Sequence, residues 1–503
     1  MTDGLRVIRG GTTKIISEDE AYGTRGVVID QPTNLRRRAA TLAKRKVQGL
    51  YVLAELPQEA LRPATVTRIY LDPFNRTGNA SDSNSGLTKA APLLTPGAAR
   101  SKIISDGVQI VINGPQVDTI YRETAAWATP AFSYSIVNEG PGRILFAKTG
   151  SPNAPTWSAV NGQPGVYSTP IATVNDAANL IDTAIRIDQA AKIKVPVGGT
   201  TADQERWRSL VRQLSPCYFV PTKVASIAAV AATPGTWFYD AGAQLLYAQA
   251  LDSRNLIGDQ KLQPLSSGVY VRAANGIGKV THLAGFDVLG GSPPIYGNPS
   301  VDTNINSLLI LENIGIQGSA SFGGSTSGLA INGPLRVIAY RVAGWNSWGD
   351  LFSYTSMAGL STGASIDDPS PAVLEIECVG SGSGMNGSTG PSDNVFTSHV
   401  SCDTESYNCV AIESSDRPVA DINKARRAWY GGYIGAPVDT GGASLCNFGM
   451  ADQAESLIDG AQFAPAAPGT PNIKLEGQAR LTMRNISPLV TVEAAATATI
   501  IRG

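Results

Sequence analysis

Between residues 285 and 405 the chain repeats a short pattern: two apolar residues two apart, then a small or polar turn. GFDVLGG (285–291), NIGIQGS (313–319), AYRVAGW (339–345), EIECVGS (375–381) and HVSCDTE (399–405) align on it. The paired positions are Phe286/Val288, Ile314/Ile316, Tyr340/Val342, Ile376/Cys378 and Val400/Cys402, and successive second members lie 28, 26, 36 and 24 residues apart. Alternation of period two is strand patterning, and steps of roughly 20–45 residues are those of a solenoid. One such coil cannot bury its apolar face alone; stacking like over like, about 4.8 Å apart, joins the pairs into one core. The alignment sets Cys378 beneath Cys402 inside, and Arg341, Glu375, Glu377 and His399 on an outward face. The long step contains GDLFSYTSMAGLSTGASIDDPSP. It is expected to project as a loop, bringing Asp350, Tyr354, Asp367 and Asp368 over that face.

The rest of the chain divides around this repeat. Residues 1–66 are expected to form an N-terminal arm with a helix over 32–56, opened by Pro32 or Thr33 and rich in helix formers. Arg36, Arg37, Arg38, Lys44, Arg45 and Lys46 lie on it, which suits either a docking surface or a solvated helix face. Residues 67–150 hold a strand at VTRIYL, a polar loop, a short helix at PLLTPGAARSKI and an alternating strand at 108–113. Residues 151–255 read as an inserted lobe with a hairpin over Trp237, Tyr239, Asp240, Leu245 and Tyr247. Its aromatics suit a small core or sugar stacking. Residues 256–464 carry the main coils. After PAAPGTP, residues 465–503 are β-prone, expected to continue the solenoid, cap it or form an oligomerisation element.

The order Tyr70-x-Asp72-Pro73, a loop with Asp82, Asn84 and Gly86, then Leu87-Thr88, Pro92, a short helix, Gly114 and Tyr121-Arg122-Glu123 resembles the opening of right-handed parallel β-helix proteins of the pectate-lyase-like type, bacteriophage tailspikes and tail fibres in particular. The resemblance spans roughly residues 66–460. It implies an all-β, right-handed parallel β-helix whose short helix caps the first coil. It further implies a virion structural protein that contacts host surface polysaccharide, made in the host cytoplasm, homotrimeric, and docked on phage tail or capsid proteins through residues 1–66. A polysaccharide depolymerase on the same β-helix, hydrolase or lyase, is the alternative, and a purely structural decoration or assembly protein a second one.

Composition agrees and narrows the chemistry. The 503 residues are 43% hydrophobic and only 16% charged, with 53 Gly and 31 Pro, which favours short strands and tight turns. A net charge of −1 provides no global field to recruit nucleic acid. No stretch reaches the roughly 18 apolar residues of a membrane span, and no signal-peptide pattern opens the chain. Cys217, Cys378, Cys402, Cys409 and Cys446 fit no metal spacing and are read as buried thiols. His282 and His399 are the only histidines, so neither a metal site nor a cofactor is expected.

Glycoside hydrolysis needs two carboxylates. Glu375 and Glu377, two apart on one strand, fit that need, with Asp350 or Asp393 joining them. A lyase needs a base and a cation at the substrate carboxylate, for which His399 and Arg341 serve. Tyr354, Trp345 and Trp237 are the candidate sugar contacts. The competing reading pairs Arg341 with Glu377, and His399 with Glu375, as surface ion pairs of small value.

Overall fold

The computed structural model describes residues 61–502 apart from 125–130, 152, 173–178, 267–270, 275, 292, 298–306, 319–326, 357–369, 385–392 and 439–444; within 1–60 it describes only the backbone of five short strands. The chain is a parallel β-helix built from three long sheets, one of twelve strands and two of nine. A representative coil runs Leu308–Glu312 in the first sheet, Gly315–Gln317 in the second and Leu329–Asn332 in the third, then re-enters the first at Arg336–Tyr340. Parallel strands joined by such crossovers wind right-handed. From Val280 onward, residues paired along the first sheet are 19 to 36 positions apart. The short helix Pro96–Ser101 is present, with Thr95 as its N-cap.

The corner between the first and second sheets is one residue in the left-handed region. Gly285, Asn313, Arg341, Glu377, Asn408 and Gly460 occupy it, with φ between 50° and 80°. Glycine and asparagine adopt this conformation cheaply; arginine and glutamate do not. This corner corrects the sequence alignment. The residue after it is the first inward one, so Phe286, Ile314, Val342, Cys378 and Cys409 share a column, as the register Val288–Ile316–Gly344–Gly380–Ala411 requires. Tyr340 and Ile376 point outward. Cys378 therefore stacks on Cys409, not Cys402; all five thiols are buried and free.

The interior is apolar through most coils, for example Leu309, Val337, Phe352 and Phe396, but not throughout. Glu375 and Arg427 face inward from the first sheet and Asp421 from the third, all completely buried. Arg427 donates through Nε to Asp421 (2.8 Å), through Nη1 to Glu375 (3.3 Å) and Ser406 (3.1 Å), and through Nη2 to Ser398 (2.8 Å). Tyr354 and Ser406 donate to Glu375, and Ser456 donates to Asp421, each at 2.7 Å. Burial pushes the Glu375 carboxyl up while Arg427 draws it back. The outer face of the first sheet carries a second apolar strip, Leu308, Ile310, Ile338, Leu374, Tyr407 and Tyr430, with Leu61 packed on it. Beside it His282 bridges Ser135 (3.3 Å) and Glu312 (3.1 Å), and Arg62 holds Glu312 at 2.5 Å.

After Ile144–Lys148 the chain leaves the solenoid and rejoins it at Val271–Arg272. The intervening lobe holds the hairpin Thr236–Asp240/Leu245–Gln249 and the helix Thr201–Arg212. It packs on the outside of the second sheet through Trp207 and Val211 against Trp345, Val379 and Tyr433. The tail continues the coils: Ile473–Leu475 pairs with Val492–Ala494, and Arg480–Arg484 with Thr499–Arg502, all parallel. Of the helix expected over 32–56, Lys44–Val47 and Leu50–Leu53 are instead paired antiparallel strands; the remainder lies outside the described residues.

Breaking a buried ion network leaves an unpaired charge in a medium that cannot solvate it. Arg427→Leu is expected to cost about 3–5 kcal/mol, read as a lower urea midpoint. The triple variant Glu375→Leu/Asp421→Leu/Arg427→Leu should recover much of that loss. A single variant as stable as the parent would show the network to be weak.

Candidate functional site

The loops that lead from the second sheet into the third end in the same way on successive coils: Asp350-Leu-Phe352, Asp393-Asn-Val-Phe396 and Asp416-Arg-Pro-Val419. Phe352, Phe396 and Val419 are register partners, so Asp393 and Asp416 are equivalent positions on neighbouring coils, and Asp350 falls level with Asn394, one position along. Asp350, Asp393 and Asp416 are 8%, 3% and 7% exposed. A backbone relay fixes the stack. Asn394 donates its amide to Asp350 Oδ1 (2.8 Å), and Arg417 donates its amide to Asn394 Oδ1 (3.3 Å). Gly384, with φ +67°, lies against Asp393 and Ser415, and a Cβ there would sit 2.8 Å from Asp393 Oδ2.

Charged neighbours complete the group. Arg417 Nη2 meets Glu476 at 3.0 Å and its Nε lies 3.7 Å from Asp416. Lys474 meets Glu476 at 3.3 Å, and His399 Nε2 lies 3.7 Å from Asp350 Oδ2. Burial raises the Asp416 carboxyl to about 6; Arg417 opposes the rise, while Asp350, Glu476 and Asp393 add to it. Two fully buried polar atoms nearby, Ser414 Oγ and Asn447 Oδ1, have no hydrogen-bond partner among the described residues. A carboxylic acid that titrates near neutrality beside a second carboxylate is the requirement for general acid catalysis. Among the described residues no group of three or more His, Cys, Asp or Glu is arranged to hold a metal, and no helix is long and apolar enough to cross a membrane.

The residues singled out from sequence fall in four places. Glu375 is inside the solenoid, bound to Arg427, and cannot meet a glycan. Glu377 is a corner residue rather than the strand partner of Glu375, and its nearest charge is Arg341 Nε at 3.8 Å. Arg341 also reaches Gln213 of the lobe at 3.0 Å, so Arg341 and His399 do not form a base–cation pair. Tyr354 is buried against Glu375. Trp345 donates to the Ser215 carbonyl at 3.0 Å, and Trp237 sits in the core of the lobe with Trp157 and Leu246. Asp367 and Asp368 lie outside the described residues. Tyr354 meets Glu375 inside the solenoid and Arg341 meets Glu377 at the corner; of the singled-out residues, Asp350, Asp393 and His399 lie in the acid column. Asp416, Arg417 and Glu476 were missed, although an aspartate two or three residues before Phe352, Phe396 and Val419 is a sequence signal once the third-sheet strands are in register.

No family model and no curated protein matches the chain. Among solved structures it is similar to one described as a glycoside hydrolase, with 8% identity and a TM-score of 0.43 over 86% of this chain and 97% of that one. It is also similar to a complex of XylC with xylose (9%, TM-score 0.39, 87% and 86%). A third similarity is to a GH136 lacto-N-biosidase from Eubacterium ramulus (8%, TM-score 0.23, 87% and 68%).

Proposed function

We propose that this β-helix binds a polysaccharide along its third sheet and hydrolyses it at the acid column. The observation that carries the reading is the Asp416 carboxyl, held at about 6 and stacked with Asp350. Asp416 serves as the general acid that protonates the glycosidic oxygen. Asp350, which accepts from Asn394, serves as the base that activates water. Asp350 and Asp416 are two coils apart, a backbone rise of about 9.6 Å. That suits an inverting enzyme, whose carboxyl groups leave room for a water, better than a retaining one. The proposed setting is the particle-bound spike of the sequence reading: a homotrimer, attached by residues 1–66 to the tail or capsid of a virion and touching host surface glycan. Among the described residues, the strands within 1–60 pair with one another, in sheets separate from the solenoid, which suits an attachment arm.

Incubation with capsular and lipopolysaccharide preparations, followed by product size, tests the activity. Asp416→Asn and Asp350→Asn are each expected to slow cleavage by about 10²–10⁴-fold, whereas Glu377→Gln leaves it within twofold. The parent's kcat/KM should fall as pH rises through about 6, where Asp416 loses its proton. Full activity in both aspartate variants sinks the proposal.

The same carboxyl makes a stability prediction. Well below the ordinary value of 3.8, at a pH of about 2.5, Asp416 is protonated whether folded or unfolded, so it has no effect. As pH rises toward 6 the unfolded chain releases the proton first and stability falls. Above about 6 the full cost, up to about 3 kcal/mol for a rise from 3.8 to about 6, is present. Asp416→Asn should therefore raise Tm at pH 7.5 and leave it nearly unchanged at a pH of about 2.5. An equal effect at both pH values would argue against a perturbed carboxyl.

A further inference from the structure

The acid column has a definite electrostatic sign. Four carboxylates surround it, Asp350, Asp393, Asp416 and Glu476. Its described permanent cations are both engaged, Arg417 between Glu476 and Asp416 and Lys474 on Glu476, and the His399 ring lies against Asp350. Even with Asp416 protonated, the three other carboxylates outnumber the two permanent cations, Arg417 and Lys474, so the net charge of the column is negative. A uronate, sulfated or sialylated polymer would bring further negative charge into a largely desolvated space, where like charges repel most strongly. It would find no unengaged cation among the described residues. β-Elimination needs such a cation to neutralise the sugar carboxylate while a base removes the adjacent proton.

Building on the acid-column reading, we infer that the glycan is uncharged, or carries amines, around the bond that is cut, and that the bond breaks by hydrolysis rather than β-elimination. In that step the water oxygen bonds to the anomeric carbon, the glycosidic carbon–oxygen bond breaks, Asp416 gives its proton to the departing oxygen and Asp350 takes one from the water. An amine-bearing sugar gains from the negative field, and that gain is screened by salt.

The test compares the full chain on four polymer classes: neutral glucans and galactans, N-acetylated and partly de-N-acetylated hexosamine polymers, polyuronates, and sulfated galactans. Reducing ends and unsaturated products are followed, with Asp416→Asn alongside. The expected result is cleavage within the first two classes, rates at least 100-fold lower on the last two, and no unsaturated sugar. For a de-N-acetylated polymer KM should rise with salt, and for a neutral one it should not. Cleavage of a polyuronate or sulfated polymer within tenfold of the best neutral one overturns the inference. If Asp416→Asn abolishes that cleavage, the column is still the active site and only its charge selectivity was misjudged. If Asp416→Asn is as active as the parent, or no polymer is cut, the acid-column reading fails and the inference fails with it.

Discussion

Coil-on-coil register is the constraint from which the other features follow. Parallel pairing places each residue over its counterpart one coil below, at about 4.8 Å. Whatever chemistry occurs once at a coil position is multiplied into a column when neighbouring coils share it. The inward leucines and phenylalanines become a continuous core by this rule. The corner residues become a line of left-handed conformations, and three buried aspartates become one electrostatic unit. None of these groups is assembled by a loop reaching across space, which is why each holds its geometry without a disulfide.

The same constraint sets what the sequence can reveal. Alternation and step length suffice to identify a solenoid, because both survive loops of varying length. Inward and outward assignment is more fragile, since it depends on a single corner residue per coil. Asn313 marks that corner openly, because asparagine favours a positive φ. Arg341 and Glu377 conceal it, because neither residue type advertises such a conformation, and a two-residue slip in the alignment followed. That slip placed Glu375 on the surface when it is completely buried. Separately, the alignment took HVSCDTE, which leads into the first-sheet strand Asp403–Tyr407, for a corner segment, and so set Cys402 rather than Cys409 over Cys378.

The candidate site was half legible for a related reason. Asp350 and His399 stand out as a carboxylate and one of two histidines near irregular sequence. Asp416 and Glu476 do not, since a single acid just before or just after a short strand is ordinary. Their meaning comes from the third-sheet register, which long intervening loops hide. Trp237 and Trp345 show the converse. Aromatic residues in a lobe attract a sugar-binding reading, but Trp345 is the cement between lobe and second sheet, and Trp237 the centre of a small independent core.

The Arg427 network changes how the solenoid comes apart. In a repeat protein each coil ordinarily touches only its neighbours, so the ends fray and the middle unzips one unit at a time. Arg427 bonds Glu375, whose strand is two coils away in the first sheet, and through Asp421 it is linked to Ser456 on the next coil. The coils between residues 354 and 456 are therefore tied beyond nearest neighbours and open as one cooperative block. Asp393 and Asp416 of the acid column lie within that block, and Asp350 and Glu476 lie beyond its two ends.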